Sequence, residues 1–312
     1  MNKLLLAALV SSALAVPAFA ADYTIMAPAS PGGGWDQTAR SIQDALTAEG
    51  ISGNVQVTNV PGAGGTIGLA QFATQENGNP GALIVGGYVM VGAILTNASP
   101  VTLDNVTPIA RLIGESDVIV VPANSDLQTM DDLVAKLKAD PGAVSWAGGS
   151  AGGVDHIIAG LIAKAVGVDP TLINYIAYSG GGEALAAVLG GQVTVGISGY
   201  GEFESQIAAG ELRALAMSGE NEMDGIPTLS ETGVDVTVEN WRMIAAAPGI
   251  TDEQKAAITA DIKKMAESET WKSTLETNGW VDMYLDGEAF DTQLDADIES
   301  TTTVLKDIGL VQ

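Results

Sequence analysis

Short apolar runs alternate with amphipathic stretches along this chain, and glycine marks many of the joins. Residues 23–27 form one such run, and after it Ala39, Ile42, Ala45 and Leu46 recur at helical spacing. Residues 54–59 alternate as a second strand, followed by a helix carrying Ile67, Leu69, Ala70, Phe72 and Ala73. Further strands are predicted at 82–87, 117–122, 144–147, 172–177, 192–198 and 212–217. Helices are predicted between them at 89–96, 129–138, 154–165, 183–189 and 202–209. Residues 234–246 read as extended. Thr251 and Gln254 form a capping box that opens a helix to about residue 268, and helical segments follow at 270–277 and 288–305. Alternating strands and helices predict an α/β fold, each half a mostly parallel sheet flanked by helices. The last helices have no strands of their own to cover. The chain is therefore expected to cross to a second domain near 112–120 and return near 238–246. That gives one domain from 21–116 with 241–312 and another from 117–240, joined by a hinge.

Four of the glycine loops follow strands, two in each half. Gly32-Gly33-Gly34 ends the first, and Gly62-Ala63-Gly64-Gly65-Thr66 ends the second. Gly148-Gly149-Ser150-Ala151-Gly152-Gly153 and Ser179-Gly180-Gly181-Gly182 are their counterparts. Glycine lets backbone N–H groups come close to a ligand. A helix start adds unpaired N–H donors and the positive end of the macrodipole. The combination is an anion site, and the reading is a chain that binds a small carboxylate without chemistry on it. The Gly62, Gly64, Gly68 spacing differs from the dinucleotide fingerprint, and no acidic residue stands where a ribose would need one.

Composition narrows the choice. Lys3, an apolar stretch over 4–16 and Ala18-Phe19-Ala20 read as a secretory signal peptide over residues 1–20, which predicts a periplasmic mature protein. The chain has no cysteine and one histidine, His156, so thiol catalysis and Cys- or His-rich metal sites are not expected. No cofactor is expected either. With 38 Asp plus Glu against 13 Lys plus Arg, the formal net charge is −25, a field that repels nucleic acid and anionic membranes. Backbone donors in a dry cleft can still hold an anion, because surface charges beyond about 8–10 Å are screened.

Pro31-Gly32-Gly33-Gly34-Trp35-Asp36 with Arg40, and Pro61-Gly62-Ala63-Gly64-Gly65-Thr66-Ile67-Gly68, carry a family likeness. So do the Ser150-Ala151-Gly152 loop, Tyr178 with Gly180–Gly182, and Gly190-Gly191-Gln192-Val193. Together they resemble the substrate-binding proteins of tripartite tricarboxylate transporters, the Bug family, over essentially the whole mature chain. The resemblance implies a monomeric two-lobed periplasmic-binding-protein (Venus flytrap) fold that closes on a di- or tricarboxylate or related organic acid. It would deliver that guest to a membrane permease with a large and a small subunit. It implies a first-lobe grip by Ser30, Gly33, Gly34, Trp35, Asp36, Ala63, Gly64, Gly65 and Thr66. Second-lobe contacts would come from Gly149, Ser150, Ala151, Gly152, Tyr178, Gly181 and Ser198. Thr194 stands where the family often has Asp.

Each residue also has a plainer role. Trp35 reads as a ligand-stacking ring or as an anchor for its loop. Asp36 reads as a cap of its own helix, and Arg40 as a structural ion-pair partner. His156 reads as a helix-start residue facing solvent or the cleft rim, and Tyr178 as a hydroxyl that reaches the ligand or a core tyrosine. Ser150 and Ser179 lack the nucleophile elbow. A sensor presenting its closed form to a signalling partner remains the alternative, with a periplasmic enzyme behind it. Gly33→Val and Gly64→Val are both expected to abolish binding and leave the fold intact.

Overall fold

The computed structural model describes residues 21–312. The signal-peptide expectation for residues 1–20 lies outside the described residues. In chain order the elements begin β1 (Ala21–Ala27), α1 (Gly34–Ala48), β2 (Ser52–Asn59), α2 (Thr66–Gln75), β3 (Ala82–Gly87) and α3 (Tyr88–Thr96). A long strand β4 (Thr107–Pro122) leads to α4 (Met130–Ala139), β5 (Ser145–Gly148), α5 (Val154–Ala165), β6 (Asn174–Ala177) and α6 (Gly181–Leu189). Then come β7 (Val195–Gly199), α7 (Tyr200–Ala208), β8 (Leu212–Met217) and β9 (Glu239–Ala246). The chain ends in α8 (Asp252–Ala266), α9 (Glu269–Asn278), β10 (Val281–Asp286) and α10 (Gly287–Asp307).

The strand order is β2-β1-β3-β9-β4-β7-β5-β6, with β10 and β8 also paired to β4. β4 is the shared element. Its first part pairs antiparallel with β9, ending at Ser116↔Glu239. One residue later, Asp117↔Gly199 begins its pairing with β7. The result is two lobes, each with a sheet and flanking helices. Parallel pairs β1·β2 and β1·β3 in the first lobe, and β5·β6 and β5·β7 in the second, turn their C-terminal ends toward the junction.

Burial follows the two-residue period of the strands. In the second lobe Ile119 and Val121 pack with Trp146, Leu133 and Ile158 on one side. Val118 and Val120 pack with Phe203 and Val188 on the other. The first-lobe core gathers Ile25, Ile42, Phe72, Leu83, Ile244, Trp271 and Phe290. The C-terminal helices thus complete the first lobe. The end of α10 also reaches across: Leu305 and Ile308 pack against Ile157 of α5.

Two expectations needed correction. β4 begins ten residues before the apolar run over 117–122, because Arg111, Gly114 and Glu115 hide a strand whose polar groups have buried partners. β10 carries no strand signal in the sequence, since Asp282 and Asp286 dilute its pattern. Among the described residues, no helix is long and apolar enough to cross a membrane.

Candidate functional site

A cavity of about 450 Å³ lies between the lobes, within the range of small-molecule sites. Ser30, Gly33, Gly34, Trp35, Gly64 and Gly65 line it from the first lobe, and Gly149, Ser150, Gly181 and Ser198 from the second. Ten of the sequence-predicted residues therefore share one crevice.

Capping explains why these loops are suited to a ligand. Helices α4, α8 and α9 begin with Thr129, Thr251 and Ser268, whose hydroxyls accept from the backbone N–H groups of Asp132, Gln254 and Trp271. α1 and α6, which start at the cavity, have Gly33 and Gly180 at the N-cap and no side-chain cap. A glycine cap leaves the first-turn donors without the acceptor that Ser, Thr or Asp would supply. At α1 those donors and the positive helix end face the cavity, while at α6 the Glu202 carboxyl stands over Gly181.

The other predicted residues are placed differently. Asp36 is buried and turned to its own loop, accepting from Gly32 N at 2.8 Å, Arg40 Nε at 2.9 Å and Asn59 Nδ2 at 2.9 Å. Burial alone would raise its pKa, but these hydrogen bonds hold it below the ordinary carboxylate value. Arg40 is spent on that pair, half-exposed. Thr66 donates to Ala63 O at 2.8 Å, within its own turn. Gly152 is buried, donating to His156 Nδ1 at 3.2 Å. Ala63, Ala151 and Tyr178 lie on an adjoining groove, shared with Ser150, Ser179 and Glu183. Trp35 is both wall and anchor, since its ring fills the space a Cβ on Gly65 would need.

Residues that sequence reasoning missed supply the charge. Arg242, on β9, is buried and ion-paired with Glu115 of β4. Its Nη1 also donates to Gly34 O at 2.9 Å and to Thr38 Oγ1 at 2.8 Å. A lone cation within Trp241-Arg242-Met243-Ile244, an otherwise apolar strand, was the available signal. Glu202 lines the cavity from α7, its Oε2 accepting from Ser198 Oγ at 2.6 Å. Burial, followed by the Glu115 charge, pushes its carboxyl up to about 7. Asp155 caps the opposite loop by accepting from Gly149 N, and burial pushes it up to about 6. Asp117 is fully buried at the point where β4 changes lobes. Burial raises its pKa, and the charges of Asp155 and Glu115 add to that. Asn240 also lines the cavity.

His156 stacks on Tyr175 with ring centroids 4.0 Å apart, and burial lowers its pKa to about 4. It is uncharged at neutral pH and engaged with its own loop. Among the described residues, no group of three or more His, Cys, Asp or Glu is arranged to hold a metal ion.

Comparison with known proteins bears on the family and the fold. Residues 38–310 match the tripartite tricarboxylate transporter family receptor. Protein BugT of Bordetella pertussis is 30% identical over 236 residues, covering 73% of this chain and 71% of its own. The solved structure of MatC from Rhodopseudomonas palustris with bound malate superposes with a TM-score of 0.79 at 21% identity. That match covers 93% of this chain and 100% of the other. A second R. palustris structure, with adipate, gives 0.80 at 21% identity over 92% and 97% of the two chains. These likenesses establish the two-lobed periplasmic-binding-protein fold. The chain belongs to the tripartite tricarboxylate transporter receptor family.

Proposed function

We propose that this protein is a periplasmic solute receptor that captures a small organic acid between its lobes and presents it to the two-subunit membrane permease of a tripartite transporter. The observation that carries this reading is the glycine capping of α1, which opens onto the crevice with no side-chain acceptor for its first-turn donors. The bound malate and adipate of the two R. palustris structures support a carboxylate guest. The lobes are residues 21–116 with 241–312 and residues 117–240, and they hinge where β4 and the chain before β9 cross between sheets. Ser30, Gly33, Gly34, Trp35, Gly64 and Gly65 grip from one side, and Gly149, Ser150, Gly181 and Ser198 from the other. The protein binds its guest and does not transform it. His156, the one imidazole of the chain, is held by Tyr175 and Gly152.

Isothermal titration of the mature protein with malate, adipate, citrate and related organic acids tests this. Saturable heat and a raised thermal midpoint are the expected result. No heat and no shift across the panel would overturn it.

A further inference from the structure

The cavity that this reading assigns to a carboxylate has an unbalanced wall. Asp155, Glu183 and Glu202 line it, against Arg242 as its one cation. Arg242 is already committed to Glu115. Asp155 is committed to Gly149 N, and Glu183 accepts from Ser179 N at 3.0 Å. Glu202 is the carboxylate left over. Ser198 engages its Oε2, while Oε1 reaches toward Gly33, 4.0 Å from where a Cβ there would stand. The same carboxyl sits over Gly181, so the start of α6 already faces an acid of its own chain.

Asn240 adds an independent observation. It is 7% exposed, lines the same cavity, and donates from Nδ2 to Asp117 Oδ1 at 3.4 Å. Its Oδ1 is buried with no hydrogen-bond partner. A buried amide oxygen without a donor is costly to leave so, and only an N–H or O–H donor satisfies it. The second-lobe and hinge side of the cavity therefore offers acceptors, whereas the start of α1 in the first lobe offers donors.

We infer that the guest is a short amino-carboxylate, a zwitterion whose carboxylate meets the start of α1 and whose ammonium meets Glu202 and the Asn240 amide oxygen. This rests on the carboxylate-receptor reading and specifies its substrate class. A dicarboxylate of the same length would bring its second negative end to the wall that already carries Asp155, Glu183 and Glu202, and would hold the Glu202 carboxyl in its protonated form, whereas an ammonium there lets that carboxyl ionise. An ammonium there completes the two acceptors, and a charged pair with satisfied hydrogen bonds is the arrangement that survives burial.

Chain-matched pairs separate the two claims. The mature protein is titrated calorimetrically with glutarate against 4-aminobutyrate, with adipate against 5-aminopentanoate, and with malate and glutamate. The amino-carboxylate of a matched pair is expected to bind tighter by about tenfold or more, the worth of one charged hydrogen bond. Glu202→Gln is expected to erase that preference, while its thermal midpoint reports an intact fold. Ser198→Ala, which frees the Glu202 carboxyl, should reduce the preference without reversing it. Tighter binding of the dicarboxylates by the wild-type protein, or a preference unchanged in Glu202→Gln, would overturn the zwitterion and leave the receptor standing. No binding by any of these acids would remove the receptor reading as well.

Discussion

Arg242 Nη1 donates to the carbonyl of Gly34 at 2.9 Å, joining residues 208 positions apart. The guanidinium lies so close beneath the glycine loop that a Cβ on Gly34 would overlap Nη2. Glu115 holds the other side of the group, and the Trp280 ring lies 5.7 Å from Cζ. The first glycine loop is thus fixed from below by the strand that returns from the second lobe. Arg242→Ala strands the Glu115 carboxylate in the interior, and breaking a buried pair in this way costs about 3–5 kcal/mol. A fall of that size in urea unfolding free energy is expected, with loss of carboxylate binding. Wild-type stability in Arg242→Ala would show that the pair does not organise the loop.

Gly33 and Gly64 should separate, contrary to the reading from sequence. Gly33 has φ −76°, open to any residue, and a Cβ there would lie 3.2 Å from Ser30 O. Gly33→Val is expected to fold with a thermal midpoint close to wild type and to lose binding in calorimetry, because its methyl groups enter the gap between α1 and Glu202. Gly64 has φ +60°, and a Cβ there would overlap Ala93. Gly64→Val should lose binding through a displaced loop and cost about 1–3 kcal/mol of stability in urea unfolding. Equal stabilities for the two variants would contradict this assignment of roles.

Stability should fall as pH rises through neutrality. Burial raises Glu202 to about 7 and Asp155 to about 6, and raises Asp117. The folded protein keeps protons that the unfolded chain has released. The contribution is therefore full below the ordinary values of 3.8 and 4.5 and is lost as pH climbs through 6 and 7. His156 acts in the opposite sense: its folded value of about 4 lies below 6.5, so it costs stability only as pH falls under 6.5. Above 6.5 the slope belongs to the acids. The thermal midpoint of the unliganded protein should drop between pH 6.5 and about pH 8, and Glu202→Gln should flatten the drop. A wild-type midpoint that rises over that interval would contradict the protonation of this cluster.

What could be read from the sequence was local. The helix starts at Thr129 and Thr251 are declared by residues three positions away, and the glycine loops by consecutive letters. Asp36 closing on Arg40 is likewise a contact across one helical turn. The charged framework of the crevice was not legible, because its partners are distant in the chain. Glu115 and Arg242 look like strand breakers until they are seen to neutralise each other across β4 and β9. Glu202 and Asn240 carry no motif, and only the meeting of two lobes turns them toward one cavity. Tyr178 is a further case: its place beside three glycines suggested a ligand contact or a core tyrosine, and the chain leaving β6 sets it on the neighbouring groove.

The central claim is that main-chain amides at the start of α1 hold the guest's carboxylate between the lobes, with its other end beside Gly181 and Glu202. Titrating ¹⁵N-labelled mature protein with whichever acid gives saturable heat, and following the amide resonances, tests it most directly. The account expects the largest shifts at Gly34, Trp35, Gly181 and Gly182, with smaller ones at Gly64 and Ser150. Shifts concentrated on residues outside the inter-lobe crevice, with these amides unmoved, would contradict it.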